Sequence, residues 1–244
     1  MGRTRDPVRI DVIVEAATWA FTTMGFDRAK IHQVADRAKV GPGTVYLYAE
    51  DKDALFELAL LRALESPIVA NPALPYQKTA PAALGRLIED CLHEIAHFPQ
   101  LWVAAQRREH EGSAQEYYGV LLELCRWLRR YQSVVLLADR NRLGWPQVAA
   151  SLERVVWGDL QRRLTGYLSA RMRTGHLTPV ADPAMVARFT IDALVASLVT
   201  GPLMSPAGVR PRDDESLARL VAAGVIGSGD RLPLPPHPGQ DSRV

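Results

Sequence analysis

Apolar residues recur along most of this chain at steps of three and four, the spacing that gathers them on one side of an α-helix. The clearest stripe is Ile10, Ile13, Ala17, Phe21 and Met24, which predicts a helix over about residues 8–24. Pro7 stands at its start, where a missing amide hydrogen costs nothing, and Gly25 follows its end as a stop. A second short helix is predicted over about 31–38, with Ile31, Val34, Ala35 and Ala38 facing inward. Lys39, Val40 and Gly41 form a three-residue connection, and Pro42 opens a third short helix over 42–49. Asp51 is the expected N-cap of a fourth, about 52–66, with Leu55, Leu58, Ala59 and Leu61 among its apolar positions.

The Pro-rich stretch 66–79 lacks this period and reads as a junction. Beyond it the pattern predicts helices at about 80–97 (with Thr79 as cap), 100–112, 115–141, 146–173, 183–200 and 213–226. Strand-like alternation is scarce. The expected class is all-α: a three-helix helix-turn-helix head at 1–50, a connecting helix at 51–66, and a helical body at 67–228. The tail, 229–244, is rich in proline and poor in core-forming residues, and is expected to be disordered.

With 244 residues, 48% of them apolar, the chain can bury a sizeable core. Its formal net charge is only +2, so any reading that involves nucleic acid needs a local basic surface. Cys91 and Cys125 lie far apart and have no nearby ligand partners, which argues against a disulfide scaffold or a zinc site and fits a reducing cytoplasm. The first residues lack the apolar region of a secretory signal. The longest apolar run lies within 191–204 and is broken by Pro202; it reads as a buried or interface helix, too short to cross a bilayer.

Two short helices joined by a tight turn are the geometry of a helix-turn-helix, whose second helix must offer a slim face to the major groove. In 42–49, Val45 and Ala49 are expected inside, leaving Gly43, Thr44, Leu47 and Tyr48 outside. Gly43 lets a partner approach the backbone closely. Thr44 suits a phosphate or a thymine methyl, and the hydroxyls of Tyr46 and Tyr48 suit phosphate oxygens. Lys52 opens the fourth helix, where its charge and the helix amides converge on an anion. No Arg, Asn, Gln or Lys lies between Pro42 and Ala49, so bidentate base readout from this helix is excluded. Specificity is expected from Thr44, backbone contacts, the N-terminal arm and DNA shape.

The segment KVGPGTVYLYAEDKDAL, 39–55, resembles the recognition-helix signature of TetR-family regulators. VIVEAATWAFTTMGF, 12–26, and IHQVADRAKV, 31–40, resemble that family's first and second helices. The resemblance implies a three-helix DNA-binding head, a linking fourth helix, and a body that binds a small molecule and dimerises through its last two long helices. There are departures. Ala29-Lys30 replaces the usual Thr-Ser and removes a cap worth about 1 kcal/mol; Asp27 is expected to compensate by starting the helix earlier. Lys39-Val40-Gly41 replaces Gly-Val-Ser, and Ala49 replaces the usual Phe. Glu50 and Asp51 put negative charge near the expected DNA side, offset by Lys30, His32, Lys39 and the arm residues Arg3, Arg5 and Arg9.

The function expected on these grounds is a homodimeric TetR-type repressor that binds a palindromic operator and is released by a small apolar ligand. Candidate DNA contacts are Arg5, Lys30, Lys39, Pro42, Gly43, Thr44, Tyr46, Leu47, Tyr48 and Lys52. Candidate ligand contacts in the body are His97, Trp102, Tyr118, Trp127, Tyr131 and Trp157. Helices 146–173 and 183–200 are the candidate dimer surface. No cofactor is expected: His93 and His97 share a helix face but have no third ligand. The alternative is a protein-interaction module whose head has lost DNA binding. An enzyme is disfavoured, because no nucleophile elbow, phosphate loop or metal-ligand cluster is present.

Overall fold

The computed structural model describes residues 7–107, 113–201 and 213–225. Its helices are α1 Pro7–Met24, α2 Ile31–Ala38, α3 Pro42–Val45, α4 Lys52–Ala63, α5 Pro81–Ile95 and α6 Pro99–Gln106. They continue with α7 Ser113–Arg130, α8 Gln132–Arg140, α9 Pro146–Leu152, α10 Gly158–Arg173, α11 Pro183–Val195 and α12 Asp214–Ala223. The chain is all-α, as its period predicts. Among the described residues the extended pairing is an isolated parallel bridge between Ala49 and Tyr76. Six of the described α-helices open on proline, which is at home where the first amide has no intrahelical acceptor.

Several boundaries differ from the expected ones. The helix predicted over 42–49 is one turn, 42–45, after which the Leu47 and Tyr48 amides donate to the Thr44 and Val45 carbonyls at 3.1 and 2.9 Å. These i→i−3 bonds tighten the backbone and end the α-helix. The fourth helix stops at Ala63, two residues before Glu65 turns left-handed at φ 57°. The helix predicted over 115–141 breaks at Tyr131, and that over 100–112 ends at Gln106. Those over 146–173 and 183–200 carry π turns at Glu153–Trp157 and Ala196–Thr200, where the hydrogen-bond register widens by one residue. Thr79 does not cap α5; its amide donates instead to Glu57. The tail 229–244 and Pro202 lie outside the described residues.

The chain divides into two compact units. The first comprises 7–97, 128–160 and 198–201. Here α1 packs on α2, α4 and α8, and α4 is buried continuously from Ala54 to Leu61. Its centre is aromatic: the Phe56 ring lies 5.2 Å from Phe21, 5.6 Å from Phe26 and 4.5 Å from Trp145. The second unit comprises 98–107, 113–127, 161–197 and 213–225. Tyr117 stacks on Tyr167 at 6.1 Å, and its hydroxyl lies 3.2 Å from that of Thr190. Arg171, 1% exposed, pairs with Glu116 at 2.9 Å and donates to the Ala104 carbonyl at 2.6 Å, so its buried charge is matched.

The 18-residue run 183–200 has a mean hydropathy of 1.4, long and apolar enough by composition to cross a membrane. That revises the short apolar run expected here. Its exposed side carries the ion pair Arg188–Asp192, at 2.9 Å, a poor face to offer to lipid.

Candidate nucleic-acid interface

The head's exposed stub is held by α2 and the turn after it. Lys30 caps α2 in extended conformation, and its amide donates to the Gln33 side chain at 2.8 Å. An ammonium accepts nothing, so only the Gln33 half of a capping box is made. Asp27 does not start the helix earlier, as expected; α2 begins at Ile31. At the far end Lys39 is left-handed, with φ 55° and ψ 45°, and the Val40 amide reaches back to the Ala35 carbonyl at 3.0 Å. Gly41 then accepts from the Thr44 amide at 2.8 Å, and Pro42 takes the first helical position of α3.

Val45 and Ala49 are each 1% exposed, as their spacing predicts. Tyr48 is 3% exposed, which corrects the expectation that it faces outward. The tightened turn after Val45 brings residue 48 round to the inner side. Pro42, Gly43, Tyr46 and Leu47 are exposed, and Thr44 is half-buried. A Cβ added at Gly43 would meet nothing within 4 Å, so the backbone there is bare. Lys30 and Lys39 are exposed on either side of α2. The Lys52 Nζ lies 4.4 Å over the Phe26 ring. Partial burial, and after it the charge of Lys30, lowers the Lys52 pKa. Arg9 is exposed; Arg3 and Arg5 lie outside the described residues.

A strap that the sequence did not reveal closes one end of this surface. The stretch read as a loose junction returns to the head, where the Tyr76 amide donates to the Tyr48 carbonyl at 2.8 Å and the Glu50 amide to the Tyr76 carbonyl at 3.0 Å. Glu57, fully buried on α4, holds the strap: it accepts from the Tyr76 hydroxyl at 2.6 Å and from the Thr79 amide at 3.0 Å. A glutamate within the otherwise apolar run 54–61 was the signal available for this. Lys78 donates from its amide to Glu50 at 3.1 Å and from Nζ to Asp51 at 2.9 Å. Asp51 also caps α4, accepting from the Ala54 amide at 2.8 Å. Burial alone would raise its pKa; the Ala54 amide and the Lys78 ammonium outweigh that and hold it below the usual carboxylate range. The two carboxylates expected to oppose DNA are therefore both engaged within the protein.

The candidate ligand residues divide between the units. His97 (exposed), Tyr131 (buried) and Trp157 (half-buried) belong to the first; Trp102, Tyr118 and Trp127 belong to the second. Tyr131 donates its hydroxyl to Glu65 at 3.3 Å. Trp102 is 53% exposed, with the Arg163 guanidinium 4.9 Å over its ring. Trp127 packs on Phe98 at 5.6 Å, and Tyr118 lies under the Arg219 guanidinium at 5.0 Å. A cavity of about 500 Å³ lies in the second unit, lined by Pro99, Val103, Ala104, Arg107, Glu116 and Gly119 among others. None of the six expected residues lines it. Trp102 is exposed at the surface of α6, while its neighbours Val103 and Ala104 line the cavity, and Trp127 is spent on core packing.

The family model for bacterial regulatory proteins of the tetR family matches residues 13–59, from α1 into α4. YhgD, an uncharacterized HTH-type transcriptional regulator of Bacillus subtilis (strain 168), is 33% identical over 86 residues. That alignment covers 33% of this chain and 45% of the relative, so the chain spans under half of the relative's length. Two solved structures share the fold. The ketosteroid transcriptional regulator KstR2 of Mycobacterium tuberculosis superposes with a TM-score of 0.54 at 14% identity, covering 91% of this chain and 97% of that one. A TetR-like transcriptional regulator from Rhodococcus sp. RHA1 gives 0.51 at 15% identity, covering 91% and 95%.

Proposed function

We propose that this chain, whose residues 13–59 match the family model for bacterial regulatory proteins of the tetR family, is a dimeric, ligand-responsive repressor of transcription acting on DNA in the cytoplasm. The observation that carries this reading is the stub at 42–47, exposed at Pro42, Gly43, Tyr46 and Leu47 and bare at Gly43, flanked by the cations Lys30, Lys39 and Lys52. Its backbone fits between phosphate rails, with Thr44, Tyr46 and Leu47 against the groove and Tyr48 supporting the stub from beneath. Arg5 joins from the N-terminal arm. A head that has lost DNA binding would be favoured if Glu50 and Asp51 were left to face the groove, and their engagement by Lys78 weakens that alternative.

Two copies are expected to pair through the segments 146–173 and 183–200 and so to read a roughly palindromic operator. Met185 and Phe189 on α11, 66% and 69% exposed, offer the apolar surface such pairing would cover. The cavity between α6 and α7 is the proposed effector site, with Pro99, Val103 and Ala104 as apolar wall and Arg107 and Glu116 as polar anchors. A ligand held there would shift the population of head separations away from the groove spacing and release the operator. A gel shift on DNA flanking the protein's own gene, at fixed salt, tests the reading. A complex competed by the same unlabelled DNA and not by random DNA is expected; if no DNA competes specifically, the assignment fails.

A further inference from the structure

We propose that the turn between α8 and α9 carries a second phosphate-binding patch, Arg140 and Arg142 with Arg28, that extends DNA contact beyond the helix-turn-helix. This rests on the DNA-binding reading above.

The turn is fixed on the head by three features, all within the first unit. Asn141, 2% exposed, accepts from the Phe26 amide and donates to the Leu137 carbonyl at 2.7 Å and the Phe21 carbonyl at 3.4 Å. Trp145 stacks on Phe56 at 4.5 Å and meets the Phe26 ring edge-on at 5.9 Å. Gly25, at φ +80°, lets the Arg140 carbonyl come so close that an added Cβ would sit 3.3 Å away. A residue buried with that many partners does not leave its neighbours free to wander, so residues 139–144 ride on the α1–α2 turn.

The surface of the turn is cationic. Arg28, Arg140 and Arg142 border one depression of about 390 Å³, with Asp27 and Asp139 as its acids. All three arginines are exposed. Arg142 is held at 3.4 Å by Asp139 of its own turn, an exposed pair that exchanges at little cost. Among the described residues Arg140 has no ion-pair partner. The patch does not stop there. Lys52 lies over Phe26, the ring that Trp145 also meets, and Lys30 acts on the Lys52 ammonium through its charge. Cations therefore run from Lys30 and Lys52, at the entry of the recognition stub, past Arg28 to Arg140 and Arg142, against the carboxylates of Asp27, Asp53 and Asp139. A stripe of that kind suits a polyanion, and guanidinium forks match phosphate oxygens in pairs. It also answers a deficit in α3, which has no side chain for bidentate base readout: affinity that the stub does not supply can come from backbone phosphates beside it.

The test is the salt dependence of binding by the full-length chain to its operator, on duplexes with long and with trimmed flanks. The variants are R140Q/R142Q, the charge-preserving R140K/R142K, and R28Q on the other side of the depression. With long flanks, R140Q/R142Q should bind about ten-fold more weakly at about 0.1 M salt, equally on operator and random DNA, and its log–log salt slope should fall by about 0.9 for each phosphate no longer neutralised. R28Q should do the same in smaller degree, and R140K/R142K should keep the slope. Trimming the flanks should weaken the parent chain, and weaken R140Q/R142Q by a smaller factor because Arg28 remains. A slope and affinity unchanged in both glutamine variants overturn the patch while leaving the helix-turn-helix reading intact. A parent chain that binds no operator, or binds without salt dependence, overturns both.

Discussion

Glu57 decides how the head is tied to the strap at 74–79. Its side chain is fully buried, so it depends on the Tyr76 hydroxyl and the Thr79 amide. Removing one donor leaves a buried acceptor half satisfied. Tyr76→Phe is expected to cost about 1–3 kcal/mol, read as a lower denaturation midpoint with an unchanged slope. Little of this is legible in the sequence, because the partners lie 19 and 22 residues away in a stretch without period. Residues whose role is local are easier to read. Gly25 reads as a helix stop and has the positive φ that the role requires. Val45 and Ala49 read as a buried pair and are one. Tyr48 turns inward against expectation because its direction depends on where a four-residue helix ends, which the apolar spacing does not specify.

At the level of elements, helix starts are easier to read than helix ends. Pro81, Pro99, Pro146 and Pro183 each mark a first turn, where proline's fixed φ helps and its lost donor does no harm. The break at Tyr131 and the two π turns leave the apolar period almost unchanged, so the sequence merges the pieces on either side. The strap 74–79 is the element least visible in the sequence, and its hold on α4 depends on pH. Asp51 titrates below its ordinary value of 3.8 in the folded chain. Its contribution is therefore present above that value and is lost as pH falls through the lower folded one. Lys78→Ala removes part of what depresses it, so the acid unfolding limb, followed by circular dichroism between about pH 2 and 5, should move to higher pH. An acid limb unmoved by that substitution would mean the strap is not held through Asp51.

For the whole molecule, fold class is the easiest property to read, because a period of about 3.6 runs through nearly every segment and only helices satisfy it. The proposed ligand site is the hardest. Its candidates stand out in the sequence for being aromatic, and large rings are consumed by cores; Trp127 and Tyr118 are each 7% exposed. The cavity proposed as the effector site is lined in part by small side chains such as Ala104 and Gly119, which no composition rule would single out. The tyrosine core of the second unit makes a further prediction. Burial, relieved in part by the Thr190 hydroxyl, pushes the Tyr117 pKa up to about 12 from 10.0. The stability it gives is present in full below pH 10 and is lost as pH rises towards 12. Helical content should hold to about pH 10 and then fall, with Tyr117→Phe falling later.

Every functional statement depends on the bare backbone of α3 entering a DNA groove, and Gly43→Leu addresses that directly. A Cβ added there meets nothing within 4 Å in the protein, so the side chain starts into open space and the thermal midpoint should change little. In the groove the same side chain would stand between backbone and base edges, and operator affinity in a gel shift should fall by about 100-fold or more, as when well-placed hydrogen bonds to bases are removed. If the variant folds normally and binds operator as tightly as the parent chain, α3 does not enter the groove in this way.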